Sequence, residues 1–230
     1  MAEHLVIAID GPAASGKSSV AKALAQRLSF LYVNTGSMYR AVTWLAVSRG
    51  VPADDAARVL ALLDENEVRF GVTDAESSIH LNGVDPSPYL LDERVNANVS
   101  TIATIPDVRQ RLVALQRAYL EEHDLVMEGR DIGSAVFPGT PYKFYIDASP
   151  EVRAMRRQKQ GVQDSISARD KQDSGRRASP LIIAEDAHVI DSSHLTIDGV
   201  VGEIIGRLKL KGFPFLQNGP VANPQVHRTI

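Results

Sequence analysis

Apolar and polar positions fall along the chain in two rhythms, and their order predicts the fold. Leu-Val-Ile-Ala-Ile-Asp at residues 5–10 is an apolar run with β-branched residues at its centre, which reads as a strand buried on both faces. It is followed by a Gly-rich octet and then by an amphipathic pattern from Ser18 to Leu28. Phe30-Leu-Tyr-Val33 is a second short apolar run; Asn34-Thr-Gly-Ser-Met-Tyr-Arg40 reads as a glycine turn leading into a helix over Ala41 to Val47. A helix over 53–64 carries Val59, Leu60, Leu62 and Leu63. The rhythm then changes to alternation in Val68-Arg-Phe70 and Ile79-His-Leu81, and Asn82-Gly83 is a strong tight-turn signal, so 66–88 is expected to be a small antiparallel insertion.

Helical spacing returns after Pro106 and runs to about Glu122, with Val108, Leu112, Leu115 and Leu120 on one side. Leu125-Val-Met-Glu128 and Lys143-Phe-Tyr-Ile146 are further central strands, the first running into Gly129-Arg-Asp-Ile-Gly133. A helix is expected from Pro150, bearing Arg153, Arg156 and Arg157 on one face. The polar segment 158–177 has little apolar periodicity and is expected to be mobile. A last strand over Ala187–Asp191 and a last helix over Thr196–Leu210 complete the fold, with the residues from Gly212 onward expected outside it. Strands alternating with helices imply an α/β fold, a three-layer core with a parallel sheet, in one domain over 1–210 with an insertion at 65–98, a lid at 153–177 and a tail at 211–230.

Composition narrows the function without defining it. The 230 residues are 44% hydrophobic and 23% charged, which suits a soluble globular protein, and zero cysteines exclude disulfides and thiolate metal sites. No apolar stretch is long enough to span a membrane, and the N-terminus lacks the order of a signal peptide. The net charge of −3 argues against a general nucleic-acid surface. A cytoplasmic monomer without nucleic-acid or membrane partners is expected, so basic chemistry must be local.

The octet Gly11-Pro12-Ala13-Ala14-Ser15-Gly16-Lys17-Ser18, followed by Ser19, matches G-x-x-x-x-G-K-[ST] between a strand and a helix. Its glycines let successive backbone N–H groups approach phosphate oxygens, with the positive end of the helix behind them. Lys17 is placed for the β- and γ-phosphates, and Ser18 for a Mg²⁺ ion carried with the nucleotide.

Arginines supply the second clue: Arg40, Arg109, Arg130, Arg153, Arg157, Arg169 and Arg176 lie at strand ends or in the polar segment. Arg40 and Arg130 follow strands next to glycines, where open α/β sheets bind ligands. For Arg153, Arg156 and Arg157 a solvated helix face is an equal alternative. If the acceptor is a phosphate dianion about 4 Å from a γ-phosphoryl of similar charge, repulsion reaches about 16 kcal/mol at an effective dielectric near 20. Converging guanidinium groups offset that and bind phosphate bidentately. A phosphomonoester is already largely dianionic near neutrality, so it needs no general base. A kinase with a hydroxyl acceptor, which would need a base, and a nucleotide-binding module without turnover are the alternatives. Asp131 reads equally as a ligand to metal-bound water, a base contact or a helix cap.

Six segments in order, I-D-G-P-A-A-S-G-K-S, T-G-S-M-Y-R, a G-V-x-x-x-x-Y-L-L stretch, V-S-x-I-A-x-I-P-x-V-R, E-G-R-D-I-G and R-x-x-x-D-x-x-R-x-x-x-P-L, resemble the bacterial cytidylate kinases, P-loop nucleoside monophosphate kinases. The resemblance covers the chain to about residue 210. It implies transfer of the γ-phosphate of ATP to CMP or dCMP, giving ADP and CDP or dCDP, in pyrimidine metabolism. By motif position, Thr35, Arg40 and Arg130 would hold the acceptor phosphate, Ser100, Arg109 and Asp131 would read cytosine, and Arg169 and Asp173 would hold the sugar. Lys17, Arg130, Arg157 and Arg176 would act on the transferred group. Residues 169, 173 and 176 would share one face of a helix. The chain departs from the family in three places: Asn34 stands where Asp is usual, Gln172 where relatives can carry Arg, and the 157–169 stretch is short.

Overall fold

The computed structural model describes residues 4–159, 166–176 and 179–216, the side chains of 166–169 excepted. In chain order the elements are β1 Val6–Asp10, α1 Lys17–Leu28, β2 Leu31–Asn34, α2 Thr35–Ser48, α3 Ala56–Glu65, β3 Val68–Thr73, β4 Glu76–Leu81 and α4 Glu93–Ile102. There follow α5 Pro106–Ala118, β5 Leu125–Gly129, β6 Lys143–Asp147, α6 Pro150–Lys159, α7 Ile166–Ser174, β7 His188–Asp191 and α8 Ile197–Leu210.

Seven strands form one sheet in the order β3-β4-β2-β5-β1-β6-β7. All pairings are parallel except the β3–β4 hairpin, as expected for an α/β core with an antiparallel insertion. The hairpin turns at Asp74-Ala75, both at positive φ, while Asn82-Gly83 makes a second tight turn that returns Val84 to Leu81. Two consecutive positive-φ residues match the twist of the flanking strands, and Asp74-Ala75 is a pair whose sequence hides the signal. Tyr32↔Glu76 joins the hairpin to β2, so the insertion extends the main sheet.

Alternation along β1 divides the core. Ile7 and Ile9 face α1 and α8, packing with Val20, Leu24, Phe144, Ile204 and Leu208; Val6 and Ala8 face the other side with Leu31, Val33 and Met127. A further cluster joins α2 to α5 through Met38, Leu45, Val99, Ile102 and Leu112.

Three expectations are corrected. The Thr35-to-Arg40 segment is no turn but the start of α2, capped by Asn34, whose Oδ1 accepts from Ser37 N at 3.1 Å. Either Asn or Asp serves as such a cap, which accounts for Asn34. On α5, Val108 and Leu112 are buried but Leu115 is exposed. The polar segment, whose expected mobility is a separate matter, contains α7 at Ile166–Ser174, while 160–165 and 177–178 lie outside the described residues. The chain after Gly212 also returns to the core: Phe213 is fully buried against Phe30 and Tyr142, its ring edge-on to Tyr142 at 4.7 Å. The tail beyond residue 216 lies outside the described residues.

Candidate active site

Strand register assembles the site. Asp10 pairs with Gly129 across β1 and β5, and Asn34 pairs with Glu128 across β2 and β5. The next residue on each strand, Gly11, Arg130 and Thr35, therefore emerges at the same edge, where parallel sheets bind ligands. A cavity of about 630 Å³ opens there, lined by Lys17, Ser18, Ser19, Thr35, Arg40, Ser100, Arg109, Arg130, Asp131, Arg157, Asp173 and Arg176 among others. Among the described residues six basic side chains face it against three acidic ones, Glu128, Asp131 and Asp173, although the whole chain is net negative.

The Gly-rich loop forms one side of the cavity. Gly11 is at φ +154, and a Cβ there would lie 2.1 Å from the Ile146 carbonyl oxygen, so only glycine fits. Gly16 sits at φ +89 as the residue before α1, whose positive end then points at the loop. Lys17 Nζ donates to the Pro12 carbonyl at 3.1 Å and lies 3.9 Å from Glu128 Oε2. Ser18 Oγ donates to Glu128 Oε1 at 2.8 Å. Ser18 and Glu128 thus present hard oxygen atoms side by side, a donor set that fits Mg²⁺ carried by a nucleotide, since that ion takes few protein ligands beside phosphate and water. Glu128 was invisible to motif reading as anything but a strand residue.

Acidic partners hold the other side together. Arg109 and Asp131, both buried, form an ion pair, and the Arg109 guanidinium lies 5.6 Å from the Tyr39 ring centre. Arg109 also donates to the Ala103 carbonyl at 3.2 Å. Asp131 therefore serves this arginine rather than capping a helix. Asp173 is a hub: it accepts from Arg130 Nε at 2.8 Å, from Ser100 Oγ at 3.3 Å and from Arg176. Burial disfavours the charge on Arg176, and Asp173 opposes that effect. Arg130 further donates to the Gly11 carbonyl at 3.0 Å, linking the two sides. Thr35 Oγ1 donates to the Glu128 carbonyl at 2.8 Å.

The expected helical face of 169, 173 and 176 is corrected: α7 ends at Ser174, and Arg176 reaches Asp173 from beyond the end. Arg169 lies on α7 with its side chain outside the described residues. Gln172 donates to Thr101 Oγ1 at 3.3 Å, a contact between α7 and α4. The solvated reading of the α6 arginines is also overturned. Arg153 and Arg157 are buried, Arg157 faces the cavity, and Arg153 pairs with Asp170 at 2.5 Å.

Asp10 behaves differently from its neighbours. Burial pushes its carboxyl up to about 7, although the Gly133 and Ile132 amides donate to it at 2.8 Å each and oppose the rise. It braces the turn that carries Arg130 and Asp131, and it is absent from the cavity wall.

Comparison with known proteins agrees with this geometry. Residues 7–210 match the family model described as cytidylate kinase. The cytidylate kinase of Limosilactobacillus fermentum is 40% identical over 91% of this chain and 97% of its own length. That of Streptococcus thermophilus is 41% identical over 85% and 92%, and that of a Geobacillus strain 40% identical over 89% and 96%. With its Gly-rich loop and arginine cluster facing one cavity and nearly its whole length matched, the chain belongs to the cytidylate kinase family, ATP-dependent kinases that phosphorylate CMP.

Proposed function

We propose that the protein transfers the γ-phosphoryl group of Mg²⁺-bound ATP to CMP and to dCMP, acting as a cytoplasmic monomer in pyrimidine nucleotide metabolism. The observation that carries this reading is that Lys17 and Ser18 line the same cavity as Arg40, Arg130 and Arg176. Two anions brought face to face need that charge between them.

In this reading Gly11 to Ser19 hold the donor phosphates, and Lys17 follows the group being transferred. Ser18 and Glu128 would hold a Mg²⁺ carried by the nucleotide, and the charge it would supply is of the kind that offsets negative charge on phosphoryl oxygens. Thr35, Arg40 and Arg130 hold the acceptor phosphate; Arg157 and Arg176 stabilise the phosphoryl in flight. Ser100, Arg109 and Asp131 read cytosine, whose exocyclic amine needs an acceptor and whose ring nitrogen and carbonyl need donors. The fixed Arg109–Asp131 pair offers both kinds of partner at one place. Arg169 and Asp173 serve the sugar. The 65–98 region forms the monophosphate-binding part and 153–177 the lid.

The dianionic acceptor attacks without a base. Asp10, whose pKa would suit a base for a hydroxyl acceptor, is turned to backbone amides and away from the cavity. γ-Labelled ATP tests the reading. Label is expected in CDP and dCDP at rates within about tenfold of each other and at least about a hundredfold above UDP, ADP or GDP formation, a gap within the reach of hydrogen-bond readout of a base. Comparable labelling of ADP from AMP would sink it.

A further inference from the structure

Of the three α6 arginines Arg157 lines the cavity, whereas Arg156 turns to the backbone of the Gly-rich loop and to Ser192. Its Nη1 donates to the Ser15 carbonyl at 3.1 Å and to Ser192 Oγ at 3.0 Å, and its Nη2 to the Ser192 carbonyl at 2.8 Å. Ser192 Oγ, itself buried, donates to the same Ser15 carbonyl at 2.8 Å. One loop carbonyl thus receives two side-chain donors, from positions 141 and 177 residues away.

A trans peptide fixes what this does. The Ser15 C=O and the Gly16 N–H belong to one planar unit and point in opposite directions. Holding the carbonyl towards α6 and the end of β7 therefore turns the Gly16 N–H the other way. Gly16 lines the cavity, whereas Ser15, Arg156 and Ser192 do not. Without the clamp, the peptide would be free to flip and aim its oxygen at the incoming phosphates, replacing attraction by repulsion.

We propose that Arg156 and Ser192 are positioning residues that lock the Ser15–Gly16 peptide with its N–H aimed at the donor phosphates. The proposal rests on the reading of the Gly-rich loop as the donor site. It assigns these two side chains a role in donor binding that requires no contact with ATP, and it ties the root of α6 to the loop.

The test uses the full chain with Arg156→Met, Ser192→Ala, the double variant and Lys17→Met as control. Binding of a non-hydrolysable ATP analogue is measured by calorimetry, and the Gly16 amide is followed by NMR. Arg156→Met is expected to weaken analogue binding about tenfold and Ser192→Ala about threefold, the scale of one or two hydrogen bonds acting on a charged ligand. KM for CMP is expected to stay within about twofold, and the double variant to be no more than about twofold worse than Arg156→Met, because both act on one carbonyl. The shift of the Gly16 amide on analogue binding should shrink in both single variants. Wild-type binding and an unaltered Gly16 response in Ser192→Ala, beside a loss in Arg156→Met, would overturn the clamp in favour of direct contact. A lower melting temperature in both with unchanged analogue binding would overturn it in favour of a structural role. If Lys17→Met binds the analogue like wild type, the donor reading of the loop falls and the clamp with it.

Discussion

The two sides of the cavity are held in shape by different means. On the side proposed for the donor, side chains grip backbone: Lys17 bonds the Pro12 carbonyl, Arg130 that of Gly11, and Arg156 with Ser192 that of Ser15. A loop so braced presents its N–H groups before any ligand arrives. On the acceptor side, side chains grip one another, in the Arg109–Asp131 pair and the hub of Ser100, Arg130 and Arg176 around Asp173. These carboxylates hold the arginines in place in a buried setting, and an acceptor bound there would have to compete with them. The donor side is a rigid mould, whereas the acceptor side is a network whose partners can be exchanged.

The contrast breaks most visibly at Lys17. Lys17→Met is expected to lower kcat about 10²- to 10³-fold in a coupled ADP-release assay, the usual loss when a preorganised charge aimed at the transition state is removed. Asp131→Asn strikes the acceptor network: Arg109 is left buried with its carboxylate gone, which costs about 3–5 kcal/mol. Chemical denaturation reads that loss, and a CMP-to-UMP rate ratio falling towards unity reads the damaged base site. Phe213→Ala is a control outside both sides. It should cost about 3–5 kcal/mol in denaturation, as for other buried aromatic truncations, with kcat and both KM values unchanged.

A pH-dependent effect on stability concerns Asp10, which joins the two sides by accepting from the Ile132 and Gly133 amides. Its folded pKa of about 7 stands above the ordinary 3.8, so the folded protein holds this proton more tightly than the unfolded chain. The contribution is full below about pH 3.8, is lost progressively as pH rises to about 7, and is flat beyond. Melting temperatures of wild type minus Asp10→Asn should fall across that window; a constant difference would show that Asp10 does not titrate there.

Sequence made the donor side legible because its chemistry is local: one contiguous octet between a strand and a helix carries the glycines, lysine and serine together. Arg40 and Arg130 were legible for a related reason, since strand ends in a parallel sheet meet at one edge. The rest depended on long-range partners. Glu128 looks like one more strand residue until β5 sets it beside Ser18, 110 positions away in the chain. Arg156 looks like a solvated helix residue until the fold brings it to Ser15. α4 escaped because its Asn, Ser and Thr residues blur helical periodicity, although Val95, Val99 and Ile102 are buried. Phe213 escaped because a Gly-Phe-Pro stretch after a helix resembles a free tail, and only packing against Phe30 and Tyr142 shows otherwise.

The division of labour is tested most directly by titrating CMP and a non-hydrolysable ATP analogue separately onto Arg130→Ala and Lys17→Met. A crossed pattern is expected. Arg130→Ala should weaken CMP at least about a hundredfold, as befits lost charge-assisted bonds to a phosphate, and the analogue far less, by about fivefold for the lost bond to the Gly11 carbonyl. Lys17→Met should do the reverse. Equal losses of both ligands in either variant, or unchanged CMP affinity in Arg130→Ala, would contradict a cavity built of separate donor and acceptor sides.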